Sequence, residues 1–280
     1  MFNSIGIIAR FDDKASIDLS YKIYKYLKSK NLKVIFEKGF PKKIGINSFS
    51  PLSKMDVDLI ITIGGDGTVL KTCMFIPKPE TPILAVNMGR RGHLTEVEPK
   101  EAIKAIEKCL EGEYYLEKHD KLSVILENKK IVDGLNEILI ASIMPWKMMN
   151  FEVNFDKDLL LTSSADALII ATSTGSTAHA LSAGGPIVHN SLNAFLLVFL
   201  APLEHISPIV IPNDIQIVVK TKNPKLKTFF TIDGRCQKWL GTEQKLIIRK
   251  SDNRATFMRL EKSFAIKNLL RTRNASKGTV

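Results

Sequence analysis

The chain is short of cysteine and of acidic side chains, and it has no long apolar run; each shortage narrows what it can be. Its three cysteines in 280 residues, Cys73, Cys109 and Cys236, are far apart, odd in number and without metal-ligand spacing. They argue against a disulfide scaffold or a cysteine-held metal and read as free thiols of a reducing, cytoplasmic compartment. The longest apolar run, Ala194 to Pro202, is about half of the ~20 residues that a spanning helix needs, so no membrane segment is expected. Met1-Phe2-Asn3-Ser4 leads into a short apolar stretch with no basic lead and no small-residue cleavage site, so no signal peptide is expected.

Aspartate and glutamate number 29 against 40 lysines and arginines, a formal net charge of +11. The lysines are scattered along the chain. A nucleic-acid surface, a positive field for a small phosphorylated substrate and plain solvated surface all fit that distribution. No nucleic-acid-binding motif with interleaved aromatics occurs, so no nucleic-acid partner is expected. Charge alone does not choose between the other two. A hydrophobic fraction of 45% and a charged fraction of 25% are ordinary for a folded chain, and the length suffices for one large domain or two modest ones.

The first third alternates two periods. Ile5 to Ile8, Lys33 to Phe36, Asp58 to Ile63 and Pro82 to Val86 read as strands, while Ser16 to Ser29 carries Ile17, Tyr21, Tyr24 and Leu27 at helical spacing. A loop with Pro41, Gly45 and Pro51 intervenes. Pro99 to Leu110 reads as a helix with proline in its first turn and Gly112 just past its end. Such alternation predicts a parallel, doubly wound, Rossmann-like α/β domain. From Tyr114 the pattern changes to short strands: Leu122 to Leu126, Ile138 to Ser142, Phe151 to Phe155, Ala167 to Ala171, Ile215 to Thr221, Thr228 to Ile232 and Lys245 to Arg249. Asn128, Asn213-Asp214, Asn223-Pro224 and Asp233-Gly234 punctuate them, so a second, β-rich domain is expected. Arg271 to Val280 is small, polar and basic and reads as a mobile tail. Trp146 and Trp239 are expected to pack rather than to offer stacking surfaces, and His119, His189 and His205 to be surface or structural residues.

Two segments carry chemistry. The strand ending at Ile63 runs into Gly64-Gly65-Asp66-Gly67-Thr68, and Val69-Leu70-Lys71 follows. Three glycines let the backbone turn sharply and approach a bound group, and amides opening a helix can face an anion. Asp66 stands at the carboxyl end of a parallel strand, where open α/β sheets place their ligands. The string has the spacing of neither a Walker loop nor a dinucleotide fingerprint. The second segment runs from Thr172 to Ile187. It holds six hydroxyl side chains and three glycines and no acidic or basic side chain but His179, a set of neutral donors and acceptors that suits a ribose, an amide or a purine edge better than a metal.

These segments give the chain its resemblance. It resembles the NAD kinase family over most of its length: Gly64 to Thr68, Asn136-Glu137, Thr172 to His179, and Ser182 to Pro186 follow the family's order of motifs. A Gly-Gly-Asp-Gly turn also occurs in related lipid and sugar-phosphate kinases, and the Asn136-Glu137 pair with the Thr174 to Ser182 loop favours a dinucleotide instead. The resemblance implies an α/β phosphoryl-donor and catalytic domain over 1–117, to which 250–280 returns, and a β-sandwich NAD-binding domain over 118–249. It implies transfer of the γ-phosphoryl of ATP, or of polyphosphate, to the adenosine-ribose 2′-hydroxyl of NAD. A divalent cation, Mg²⁺ carried with ATP, and a homodimer or homotetramer are implied as well.

Position by position, the resemblance makes Asp66 the general base, Gly67 the point of close backbone approach and Lys71 a basic residue near the phosphates. Asn136 and Glu137 would bind the adenosine end, Glu137 through ribose hydroxyls. Lys147 matches a substrate-contacting lysine of some members, and Asp166 an aspartate on the nicotinamide side. Thr174, Thr177, Ala178, His179 and Ser182 fall on the dinucleotide loop, and Ala201 on a further contact position. No protein metal ligand is implied. The chain departs from the pattern at Ser173 (usually Pro), His179 (usually Tyr), Arg91 and His93 (usually Leu and Phe) and Arg235 (usually Gln). The His179 ring can still stack on a base or a nicotinamide in place of that Tyr, and its tautomer and charge then matter.

Overall fold

The computed structural model describes residues 2–41, 46–89, 92–144, 146–222 and 226–262. Gly45, Arg91, Asn223-Pro224 and the tail 271–280 lie outside the described residues. The chain divides into two compact units. One comprises the residues up to Lys118 and the described chain from Ala255; the other is His119–Arg254.

The first unit contains strands β1 (Ser4–Ala9), β2 (Lys33–Glu37), β3 (Phe49–Ser50), β4 (Leu59–Gly64) and β5 (Ile83–Asn87), with helices α1 (Lys14–Ser29), α2 (Asp66–Phe75) and α3 (Ala102–Leu110). All the strand pairings are parallel, in the order β5-β4-β1-β2-β3. β4 is buried at every position, the continuous apolar run of a strand covered on both faces. Ile5, Ile7, Ile61 and Val86 share one core with Tyr21, Ile23 and Leu27 of α1 and with Ala105 and Ile106 of α3. Ile8, Ile60 and Ile83, on the opposite face by the two-residue period, are equally buried. Each such side chain contributes about 1.5–3 kcal/mol. Helix ends follow local chemistry: the Asp13 side chain accepts the Ser16 N–H at 2.9 Å, and Gly112, at φ +86°, stops the chain after α3 as a left-handed cap.

The strand order reverses between β1 and β4. After β1 the chain moves outward to β2 and β3, then returns to the other side of β1. Ligands of open α/β sheets bind beyond the strands' carboxyl ends at such a reversal, and Asp66 stands two residues past the end of β4.

The remaining strands are β6 (Tyr115–Leu126), β7 (Lys129–Gly134), β8 (Glu137–Ser142), β9 (Met149–Phe155), β10 (Asp158–Ala165), β11 (Ala167–Thr172), β12 (Ala194–Leu200), β13 (Ile209–Pro212), β14 (Ile217–Thr221), β15 (Thr228–Ile232), β16 (Cys236–Leu240) and β17 (Leu246–Arg259). One short helix, α4 (His179–Ser182), lies among them. In the second unit one sheet runs β13-β12-β11-β8-β15-β16, antiparallel throughout. The other runs β10-β9-β14-β17, also antiparallel, with β6 beside β17 and β7 beside β6. Phe151 of β9 meets Phe199 of β12 edge-on at 5.9 Å, so the two sheets pack as a sandwich. The last residues of β17 belong to the first unit, where Phe257 pairs in parallel with Ile83.

Two sequence expectations need correction. Trp146 and Trp239 are 75% and 60% exposed and do not pack in a core. Strands β7, β10, β13 and β16 escaped the reading because they are largely surface strands; β10 buries only its last residue and so carries no apolar alternation. The Ala194 run is strand β12, buried at all but its last position. No described helix is long and apolar enough to cross a membrane.

Candidate active site

In the first unit the glycine string turns β4 into α2, with Gly65 as N-cap and Asp66 as the first helical residue. A Cβ on Gly64 would lie 2.3 Å from Thr68 Oγ1, whereas one on Gly65 would meet nothing within 4 Å. The turn therefore requires glycine sterically at its first place and not at its second. Asp66 is half-buried. Its Oδ2 accepts the His93 N–H at 2.8 Å and its Oδ1 the Leu94 N–H at 3.0 Å. A carboxylate has roughly four lone-pair sites, so each oxygen keeps capacity for a further proton donor while two amides fix the plane of the group. His93 thus reaches Asp66 through its backbone, which its side-chain identity does not disclose. Lys71, farther along α2, places Nζ 2.5 Å from Oε1 of buried Glu37 and 5.5 Å above the Phe11 ring. Glu37 Oε2 has no hydrogen-bond partner among the described residues.

In the second unit Asn136 directly precedes β8 and Glu137 opens it. Their amides and that of Leu135 all donate to the Asp233 carboxylate, at 2.9, 3.1 and 2.7 Å respectively. Asp233 and Gly234 have φ +50° and +63°, two successive left-handed residues in the β15–β16 hairpin turn. Burial pushes the Asp233 carboxyl up, against the pull of the three amides. The sequence shows this turn as a turn only; its hold on a segment some hundred residues away has no local signal.

The Thr172 to Ile187 segment lies against the same pair. Thr172 donates its N–H to Asn136 O at 2.8 Å and its hydroxyl to Leu135 O at 2.6 Å. A Cβ on Gly175 would sit 2.1 Å from Asn136 O, so only glycine lets the loop approach. Five of the loop's six hydroxyls also hydrogen-bond within the unit. Besides Thr172, Ser173 donates to the Leu192 carbonyl and Ser176 to Ser173 O at 2.6 Å. Thr174 Oγ1 lies 2.8 Å from His119 Nδ1, and Thr177 donates to Thr174 O at 3.3 Å. His119 is buried behind the loop, a structural histidine.

Glu137 is buried, its Oε1 2.7 Å from Nδ1 of the exposed His179 ring. Glu137 Oε2 and Asn136 Oδ1 are buried without a hydrogen-bond partner among the described residues. An unmet buried acceptor costs about 1–3 kcal/mol, which a hydroxyl-bearing ligand would recover. Burial pushes the Glu137 carboxyl up; the His179 hydrogen bond opposes this and the Asp233 charge adds to it. His179 Nδ1 thus pairs with a carboxylate 42 residues away in sequence.

The fold thus gathers Asn136, Glu137, Thr174, Thr177, Ala178, His179 and Ser182 around one end of β11. Asp166 and Ala201 lie at the other end, where the Asp166 N–H donates to Leu200 O at 2.9 Å and Ala201 adopts φ +44°. Lys147, exposed, precedes the Met149 that pairs with Ala165 at that same end. An extended strand of this length, at ~3.3 Å per residue, separates the two groups by roughly 20 Å.

Two family models match the chain in tandem: the ATP-NAD kinase N-terminal domain over residues 5–114 and the ATP-NAD kinase C-terminal domain over residues 135–260. The chain is 41% identical over 261 residues to the NAD kinase of Thermococcus sibiricus, covering 91% of this chain and 93% of that one. It is 37% identical over 263 residues to the NAD kinase of Methanothermobacter thermautotrophicus, covering 93% of each. Its fold matches the crystal structure of an NAD kinase from Archaeoglobus fulgidus in complex with ATP at a TM-score of 0.81 and 25% identity, over 96% of this chain and 98% of that one. The doubly wound unit, the sandwich and these likenesses agree: the chain belongs to the NAD kinase family, phosphotransferases that make NADP from NAD.

Proposed function

We propose that the chain transfers the γ-phosphoryl group of ATP, or the terminal group of polyphosphate, to the adenosine-ribose 2′-hydroxyl of NAD, with Asp66 as general base. The hydroxyl proton passes to Asp66 as the oxygen forms its bond to phosphorus and the bond to the leaving phosphate breaks. The observation that carries this reading is the Asp66 carboxylate at the sheet's reversal point, oriented by two amides and with lone pairs to spare. In phosphoryl transfer most of the rate comes from positioning and charge neutralisation, and the base supplies a smaller factor of ~10²–10⁴.

The finer assignments follow the same reading. The first unit handles the donor, with Gly67 as the point of backbone approach and Lys71 beside the phosphates. The second binds NAD. Asn136 and Glu137 take the adenosine end, supported by their unmet buried oxygens. Thr174, Thr177, Ala178, His179 and Ser182 line the dinucleotide loop, while Lys147, Asp166 and Ala201 contact the substrate toward the nicotinamide. Among the described residues no group of three or more His, Cys, Asp or Glu is placed to hold a metal. Mg²⁺ would enter with the donor, held mainly by its phosphates, and would offset charge on the transferring group. A cytoplasmic homodimer or homotetramer is part of this reading.

The test is NADP formation by the purified chain with ATP, other nucleoside triphosphates and polyphosphate in turn, with Mg²⁺ and with excess chelator. NADP should appear with ATP and Mg²⁺ and stop with chelator. NAD binding without NADP from any donor over a long incubation would leave only a dinucleotide sensor.

A further inference from the structure

The two amides that orient Asp66 belong to His93 and Leu94, so whatever holds that loop holds the base. The loop is closely built: Leu94 and Thr95 are buried, and a Cβ on Gly92 would lie 1.7 Å from Thr95 Oγ1. Its outer grip comes from the far end of the sequence. Arg259, the last residue of β17, is buried. It donates through Nη1 to Leu94 O at 2.9 Å and through Nε to Glu117 Oε2 at 2.6 Å. A second Nη1 contact reaches Glu96 Oε2 at 3.8 Å. Just past Arg259, the Leu260 and Glu261 amides donate to Glu96 Oε1 at 3.1 and 3.2 Å.

The returning chain therefore fastens the loop at Leu94 and Glu96, on the peptide next to the one whose N–H holds Asp66. A guanidinium suits the task because its planar fork can serve a carboxylate and a carbonyl at once, which a lysine ammonium does only as a point charge. The buried cation also answers Glu96, whose carboxyl burial pushes up while the Arg259 charge pulls it down.

We propose that Arg259 is a positioning residue for the reaction: by fixing the Leu94 carbonyl it sets the direction in which Asp66 presents its remaining lone pairs. This rests on Asp66 being the base, and it gives the return of the chain to the first unit a catalytic purpose.

The test is a double-mutant cycle. Arg259→Lys keeps a cation for Glu117 and Glu96 and lacks the fork for the Leu94 carbonyl. It should fold, lower kcat by roughly 10–100-fold, the scale of a misplaced reacting group, and leave KM for NAD and ATP within about twofold, the mark of an interaction made mainly in the transition state. Arg259→Met paired with Glu117→Gln removes cation and anion together and should lower kcat at least as much if it folds. In an Asp66→Asn background, Arg259→Lys should leave the residual rate unchanged. Arg259→Lys at wild-type kcat, or the same rate loss with and without Asp66, would overturn the proposal. Asp66→Asn at wild-type kcat would instead remove the assignment of the base on which it rests.

Discussion

The two units solve opposite problems. In the first, one short string places a carboxylate at a sheet reversal, and the groups that touch the carboxylate are backbone amides of a neighbouring loop. In the second, a run of hydroxyls braces its own loop, and Asn136 Oδ1 and Glu137 Oε2 lie buried beside it without a hydrogen-bond partner among the described residues. The lesson is that hydrogen-bonding capacity read from sequence is not availability. A serine or threonine in a tight loop usually answers a nearby backbone group, whereas an unmet buried carboxylate oxygen is the informative signal.

That contrast can be broken by mutation. The largest effect expected is on rate: Asp66→Asn should keep the fold and lower kcat by ~10²–10⁴-fold in a steady-state NADP assay. Next, Gly175→Ala would push a methyl into Asn136 O. It should cost about 1–3 kcal/mol by overpacking in a urea melt and raise KM for NAD. Gly65→Ala, which meets nothing, should leave the melt within about 0.5 kcal/mol of wild type; equal melts for the two glycines would erase the steric distinction between them.

Asp233→Asn comes after. It swaps one of two accepting oxygens for an amide that faces a backbone N–H. A stability loss of about 1–2 kcal/mol is expected, within the cost of a buried unmet donor, with KM for NAD raised more than kcat is lowered. A small effect should come from the ion pairs of Glu152 on β9. Lys222, with Asn154 and Lys220, holds the Glu152 carboxyl down to about 2 from 4.5. Its folded value is depressed, so its contribution is present above pH 4.5 and fades as pH falls through 2. Glu152→Gln should therefore lower stability by about 0.2–1 kcal/mol at pH 7, and its thermal melt should converge on that of wild type as pH falls below 2.

Much of the first unit was legible because its signals are contiguous: the apolar runs of β1, β4 and β5, the caps of α3, and Gly64 to Thr68. Asn136-Glu137 and the Thr172 loop were legible as motifs of a resemblance, and the fold does bring them into contact through Thr172 and Gly175. Asp233, His119 and Arg259 were not legible in these roles. Each acts on a segment 55 to about 165 residues away, and no period or spacing records such a pairing. The His179–Glu137 bond was missed for the same reason. The strands missed in the sandwich are those whose side chains face solvent, where burial leaves no pattern.

On the proposed function, chemistry falls to Asp66 and NAD recognition to Glu137. The most direct measurement is the Kd for NAD, by calorimetry, of Asp66→Asn and Glu137→Gln alongside their kcat values. The expected result is a near wild-type Kd with a collapsed kcat for the first, and a Kd weakened about tenfold, the ~1.4 kcal/mol scale of a hydrogen bond to a charged group, for the second. Asp66→Asn losing NAD affinity while Glu137→Gln binds as wild type would contradict it.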